Sequence, residues 1–165
     1  MKNELSKIIK KFNGNVLAIG LDDKLIKSLE KNNCINECFL LGSITKKGKG
    51  KLFSKTIKIK KIRKKFKKKQ TNFIICNYEV IEKYLNSFVK DSIYLSDFKI
   101  YYYNVKDSSK LEKRYKRYDT TININKDIVE IDSSKAKNNY FMDKLYVISD
   151  IIEIIIEVIG DVLMN

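Results

Sequence analysis

The sequence predicts an α/β chain, a three-layer and mostly parallel sheet with a C-terminal amphipathic helix. The first sign is Val16-Leu-Ala-Ile19, an unbroken aliphatic run that enters Gly20 and gives way to Leu25, Ile26 and Leu29 at helical spacing. So short an apolar run suits a strand buried on both faces, the kind found in parallel sheets flanked by helices. The second sign is that strand-like runs followed by helical repeats return at 71–89 and 98–118, the alternation of an α/β fold.

Taken in order, residues 4–12 place Leu5, Ile8, Ile9 and Phe12 on one helical face with lysines opposite, and Asn13-Gly14-Asn15 ends that helix. Gly20 permits a sharp turn after the first strand, and Asp22 or Asp23 can cap the helix that runs to about Lys31. Cys38–Ser43 reads as a second buried strand, followed by a basic loop, KKGKGK. In 55–69, Thr56 to Ile59 alternate like a strand, while Ile59, Ile62 and Phe66 share a helical face; a short strand running into a lysine-covered helix is expected. Thr71–Asn77 is the third buried strand, and a helix follows from Tyr78 to about Val89, with 91–97 either a loop or its extension. Phe98–Val105 is a strand, and Ser108–Tyr118 a short helix capped by Ser108 or Ser109. Thr120–Asn125 and Asp127–Asp132 alternate strictly and predict a pair of antiparallel edge strands. From Tyr140 to Met164 the chain is strongly apolar, but Asp143, Asp150, Glu153, Glu157 and Asp161 form an acidic stripe that would be costly in lipid. The expectation is an amphipathic helix packed on the sheet or on a second copy in a homodimer, with no transmembrane segment.

At 165 residues with 44% hydrophobic content, one domain is expected over 1–165, with a leading helix to 13, a core over 14–132 and the C-terminal helix over 137–164. The first apolar run of any length begins only at Val16, so no signal peptide is expected, and Cys34, Cys38 and Cys76 read as reduced thiols of a cytoplasmic protein. There is no His, which excludes Ser-His-Asp, Cys-His and His-metal chemistry, and no metal site is expected of the three cysteines. The excess of Lys, Ile and Asn with no Pro reads as the codon bias of an AT-rich bacterial genome.

The net charge of +14 is concentrated in one place. No acid stands between Glu37 and Glu79, and 46–69 holds 14 of the 34 basic residues; the other 20 balance the 20 acids.

Helix, strand, helix, strand, basic segment, strand, helix, strand, helix and two strands resemble the order of the class I (Rossmann-like) S-adenosylmethionine-dependent methyltransferase family. NVLAIG resembles that family's first motif, and FIICNYEVI (73–81) its fourth strand and following turn. The resemblance implies S-adenosylmethionine as cofactor, with Gly20, Asp22 and Asn77 as the contacting residues, and singles out no catalytic residue. The cofactor motif is degenerate. Ala18 stands where the family has an acid, Asp22 and Lys24 take two of three glycine positions, and Gly42-Ser43 replace the ribose-binding acid. Asn77-Tyr78 resembles the asparagine and aromatic of amino-methylating members, without the intervening prolines.

Each candidate also has a structural reading. Gly20 to Asp23 make a capped turn without any ligand, and Asn77 caps a turn. The basic segment is either a solvated face or a binding surface for nucleic acid or another polyanion, with Lys46, Lys47, Lys49, Lys51, Arg63, Lys64, Lys67 and Lys68 as its contacts. The expected function is that of a methyltransferase-like, non-catalytic or impaired protein with a basic patch. The alternatives are an active methyltransferase and a partner-binding protein that uses its C-terminal helix.

Overall fold

The computed structural model describes residues 2–41, 53–57 and 66–136. Within them, strands β1 (Gly14–Ile19), β2 (Ile35–Leu41), β3 (Phe53–Ile57), β4 (Thr71–Asn77), β5 (Ser96–Tyr103), β6 (Thr121–Asn125) and β7 (Ile128–Asp132) form one sheet. Its order is β3-β2-β1-β4-β5-β7-β6. The first five strands are parallel, and β7 runs antiparallel to both β5 and β6. The helices are α1 (Lys2–Ile9), α2 (Asp23–Glu30), α3 (Tyr78–Ile81), α4 (Leu85–Leu95) and α5 (Ser109–Tyr115). Short 3-10 turns cover Glu82–Tyr84 and Lys116–Tyr118.

Alternation along each strand divides the core in two. Val16 and Ala18 of β1, Phe73 and Ile75 of β4, and Tyr101 and Tyr103 of β5 face α1 and α2, where Leu5, Ile9, Phe12, Leu25 and Leu29 complete one cluster. Leu17, Ile19, Ile74, Cys76, Ile100 and Tyr102 face the other way, onto α4 and α5. All four residues from Val16 to Ile19 are fully buried, as a strand covered on both faces requires. Three layers result.

A buried asparagine ties the first layer together. Asn32 Nδ2 donates to the carbonyls of Ile9 (2.7 Å) and Phe12 (2.9 Å), and its Oδ1 accepts from the Cys34 amide (3.0 Å), which joins the end of α1 to the turn after α2.

Several boundaries differ from the sequence expectation. α1 ends at Ile9, before the Asn-Gly-Asn stretch, and Gly14, at φ +78, opens β1. β2 starts three residues before Cys38, because pairing with β1 recruits Ile35 opposite Gly14. Phe66–Gln70 form a bend and a turn, so the expected helix does not reach Lys69, and the rest of it lies outside the described residues. Residues 91–95 extend α4, and β5 begins at Ser96. Neither Ser108 nor Ser109 caps α5 through its side chain. Asp107 accepts from the Ser109 amide at 2.9 Å, while Ser108 Oγ donates to Glu112 at 2.7 Å. The last two strands form the expected antiparallel pair at one edge of the sheet, with β7 inserted between β5 and β6 so that β6 is outermost. The expected C-terminal helix lies outside the described residues. Among those described, no helix is long and apolar enough to cross a membrane.

Burial also sets a pH limit. Burial pushes the Cys38 thiol up to about 12, and it raises Cys76, Tyr101, Tyr102 and Tyr115 above their ordinary values of 9.0 for cysteine and 10.0 for tyrosine. The unfolded chain releases these protons at the ordinary values and the folded chain retains them, so these groups leave stability unchanged from neutral pH to about pH 9 and lower it as pH rises further. Urea midpoints should be level from neutral pH to pH 9 and decline steeply above it; a midpoint unchanged at pH 11 would contradict the burial of these groups.

Candidate functional site

In an open parallel sheet, ligands bind in the crevice beyond the carboxyl ends of the strands, where the strand order reverses. Here that place lies between β1 and β4, because the chain runs outward from β1 through β2 to β3 and then returns to β4 on β1's other side. The three cofactor candidates meet there. Gly20 and Asp22 follow β1 directly, and Asn77 ends β4.

Gly20 adopts φ +63, a left-handed conformation in which a Cβ is strained. A Cβ built on it would lie 2.7 Å from Val80 Cγ2 and 3.3 Å from Asn77 Cβ. The space that a side chain at this position would take is therefore filled by the start of α3. From the opposite direction, the buried hydroxyl of Tyr103 donates to the Gly20 carbonyl at 2.8 Å. Burial raises the pKa of that hydroxyl, and the nearby Asp22 carboxylate adds to the shift.

Asp22 is the N-cap of α2 and accepts from the Leu25 amide at 3.0 Å. Its carboxylate occupies the helix N-terminus, the position that binds ligand anions in dinucleotide-binding folds. Asn77 caps α3, with its Oδ1 accepting from the Glu79 amide at 3.1 Å and from Asn104 Nδ2 at 3.4 Å.

Beyond Asn77, a cleft of about 100 Å³ opens between the turns that follow β4 and β5, lined by Tyr78, Glu79, Glu82, Asn104, Lys106, Asp107 and Lys110. It is smaller than the few hundred Å³ of a usual small-molecule site. Four of its five charges form two pairs, Lys106 with Glu79 at 3.7 Å and Lys110 with Glu82 at 3.6 Å, and such exposed pairs contribute little stability.

The basic candidates lie elsewhere. Lys67 and Lys68 are exposed and precede β4, at the end of the sheet opposite the crevice. Lys46, Lys47, Lys49, Lys51, Arg63 and Lys64 lie outside the described residues. Lys69 is partly withdrawn from the surface, where its Nζ donates to the Ser96 carbonyl at 2.6 Å and reaches that of Ser133 at 3.5 Å; burial lowers its pKa. The cysteines do not converge. Cys38 packs in the α1–α2 cluster, Cys76 on the opposite face of the sheet, and Cys34 is exposed.

Two residues of the crevice escaped the sequence reading, Val80 and Tyr103. For Val80, helical spacing marked only its apolar face; for Tyr103, three consecutive tyrosines gave no sign of which one reaches Gly20.

No protein-family model matches the chain, and no curated protein matches it in sequence. Among solved structures, it is similar to the MycE methyltransferase from the mycinamycin biosynthetic pathway in complex with Mg and SAH. The TM-score is 0.55 at 11% identity, over 84% of this chain and 49% of that one. The same enzyme with Mg, SAH and mycinamycin VI gives a TM-score of 0.53 at 12% identity, over the same shares. The chain thus spans about half the length of these neighbours. Together with a sheet ordered β3-β2-β1-β4-β5-β7-β6 and a single antiparallel strand set between β5 and β6, this similarity gives the chain the class I methyltransferase-like fold.

Proposed function

We propose that this chain is a methyltransferase-like domain that does not hold S-adenosylmethionine as the family does, and that its basic segment binds a polyanion such as nucleic acid. The crevice over Gly20 carries the first half of this reading. Val80 and Asn77 pack where a side chain at 20 would lie, Tyr103 holds the Gly20 carbonyl, and the Asp22 carboxylate is spent on α2. In the glycine-rich turn, the second glycine admits a ligand against the backbone; Asp22 at that position presents a carboxylate instead.

Calorimetric titration of S-adenosylmethionine and of S-adenosylhomocysteine into the full chain tests it. No heat is expected at millimolar ligand. Micromolar binding would overturn the proposal and establish the alternative, a working methyltransferase.

The polyanion half rests on charge segregation, since 14 basic residues without an acid fall in 46–69. Lysine contacts to phosphate are independent of sequence and release counterions. Affinity for duplex DNA should therefore fall steeply with salt, by roughly one power of the salt concentration per phosphate contacted. Replacing Lys67 and Lys68 by glutamine should flatten that slope, and a salt-independent affinity would remove this half of the reading.

A further inference from the structure

Edge strand β6 is the most exposed strand of the sheet for which burial is described. It has no charged residue from Thr120 to Asn125, and Ile124 is 49% exposed. Lysine or proline commonly protects such an edge from pairing, and neither is present within it.

The strand's hydrogen-bonding pattern defines what could pair with it. Asn125 and Ile128 flank the two-residue turn Lys126-Asp127, a position in which paired residues exchange both ladder bonds. Alternation then leaves the N–H and C=O of Ile122 and Ile124 directed away from β7. If two copies of β6 are laid antiparallel about Asn123, Ile122 of each meets Ile124 of the other, and the four outward residues can exchange four hydrogen bonds. The same pairing places all four isoleucines on the sheet face that carries Val129 and Ile131, which register with Ile124 and Ile122. Ile122 already packs against the core on that face, so the apolar layer would continue across the seam.

Charge favours this edge over the other. β3, flanked in the chain by the basic segment, lies six strand spacings away, about 29 Å. Pairing through β6 would keep the two copies of β3, each of which lies within the basic stretch of the sequence, roughly 60 Å apart, many times the Debye length of about 8 Å in physiological salt. Around β6 itself, residues 112–132 hold five basic side chains (Lys113, Arg114, Lys116, Arg117, Lys126) and five acidic ones (Glu112, Asp119, Asp127, Glu130, Asp132), so repulsion there is balanced.

We propose that β6 is a self-association edge, through which two copies form a symmetric dimer with one continuous sheet. A five-residue seam buries little area, so the dimer is weak and reversible.

Sedimentation equilibrium of the full chain, from micromolar to near-millimolar concentration, should show a monomer–dimer equilibrium. Amide exchange at Ile122 and Ile124 should slow as concentration rises. Ile124→Lys should weaken the dimer at least about tenfold by placing a charge in the seam. Ile124→Pro, which removes an outward N–H, should do the same, and a proline whose N–H faces solvent is tolerated at an edge. A monomer at every concentration would overturn the proposal, and so would a dimer whose exchange at Ile122 and Ile124 is independent of concentration. The latter would place the contact elsewhere, for instance in 140–164. A dimer left intact by both variants would also overturn it.

Discussion

Gly20→Val is expected to destabilise the protein by about 2–5 kcal/mol, one of the largest losses available from a single exchange outside the hydrophobic core. Two costs combine. A non-glycine residue at φ +63 costs roughly 1–2 kcal/mol, and more when it is β-branched. Forcing extra methyl groups into a packed contact costs a further 1–3 kcal/mol or so, here because the new Cβ would stand 2.7 Å from Val80 Cγ2. Denaturant melts of Gly20→Val, Val80→Ala and the double variant separate the two. Val80→Ala should recover the steric part and leave the backbone strain, giving a coupling energy of about 1 kcal/mol or more. Strict additivity would show that Val80 does not fill the space over Gly20. Loss of ligand binding in Gly20→Val alone would therefore not identify a cofactor contact, because the turn itself would have been disturbed.

The second large effect is expected at Tyr115. This residue is fully buried, and its hydroxyl meets Ser92 Oγ at 2.6 Å and the hydroxyl of Tyr102 in a closed polar group within the α4–α5 layer. Its ring packs on that of Tyr102 at 6.0 Å, and Phe88 packs on Tyr102 from another side at 6.3 Å. Tyr115→Phe keeps the ring but deletes a buried hydroxyl that bonds both Ser92 and Tyr102, at a cost of about 1–3 kcal/mol. Ser92 is affected less, since it also donates to the Val89 carbonyl at 2.8 Å. Tyr115→Ala removes the ring as well and should cost about 3–5 kcal/mol. Adding Tyr102→Phe to Tyr115→Phe should cost less than the sum of the single changes, because both break the same bond between the two hydroxyls. Equal stability of Tyr115→Phe and the parent in urea would contradict the network.

The elements differed in how far they could be read from sequence. β4 was legible to the residue, because Asn77 and Thr71 bound an apolar run buried on both faces. The cap of α2 was legible only as Asp22 or Asp23, since either short acid before Leu25 and Ile26 can accept from the free amides, and the structure selects Asp22. β5 was displaced by two residues, because Ser96 joins the strand through its pairing with Thr71 on β4. The break at Glu82–Tyr84 left no mark on the apolar spacing of the helix.

By itself the sequence determined the α/β alternation and the separation of charge. Burial on both faces demands continuous apolar runs, helical packing demands a 3.6-residue repeat, and each lies within a few neighbouring residues. Only the tertiary structure decided that β7 lies between β5 and β6, that Tyr102 and Tyr115 share a buried hydroxyl group, and that Val80 and Tyr103 close on Gly20. The Tyr103 contact joins residues 83 positions apart. Such contacts follow from the order in which strands pair, and no local period in a chain encodes that order.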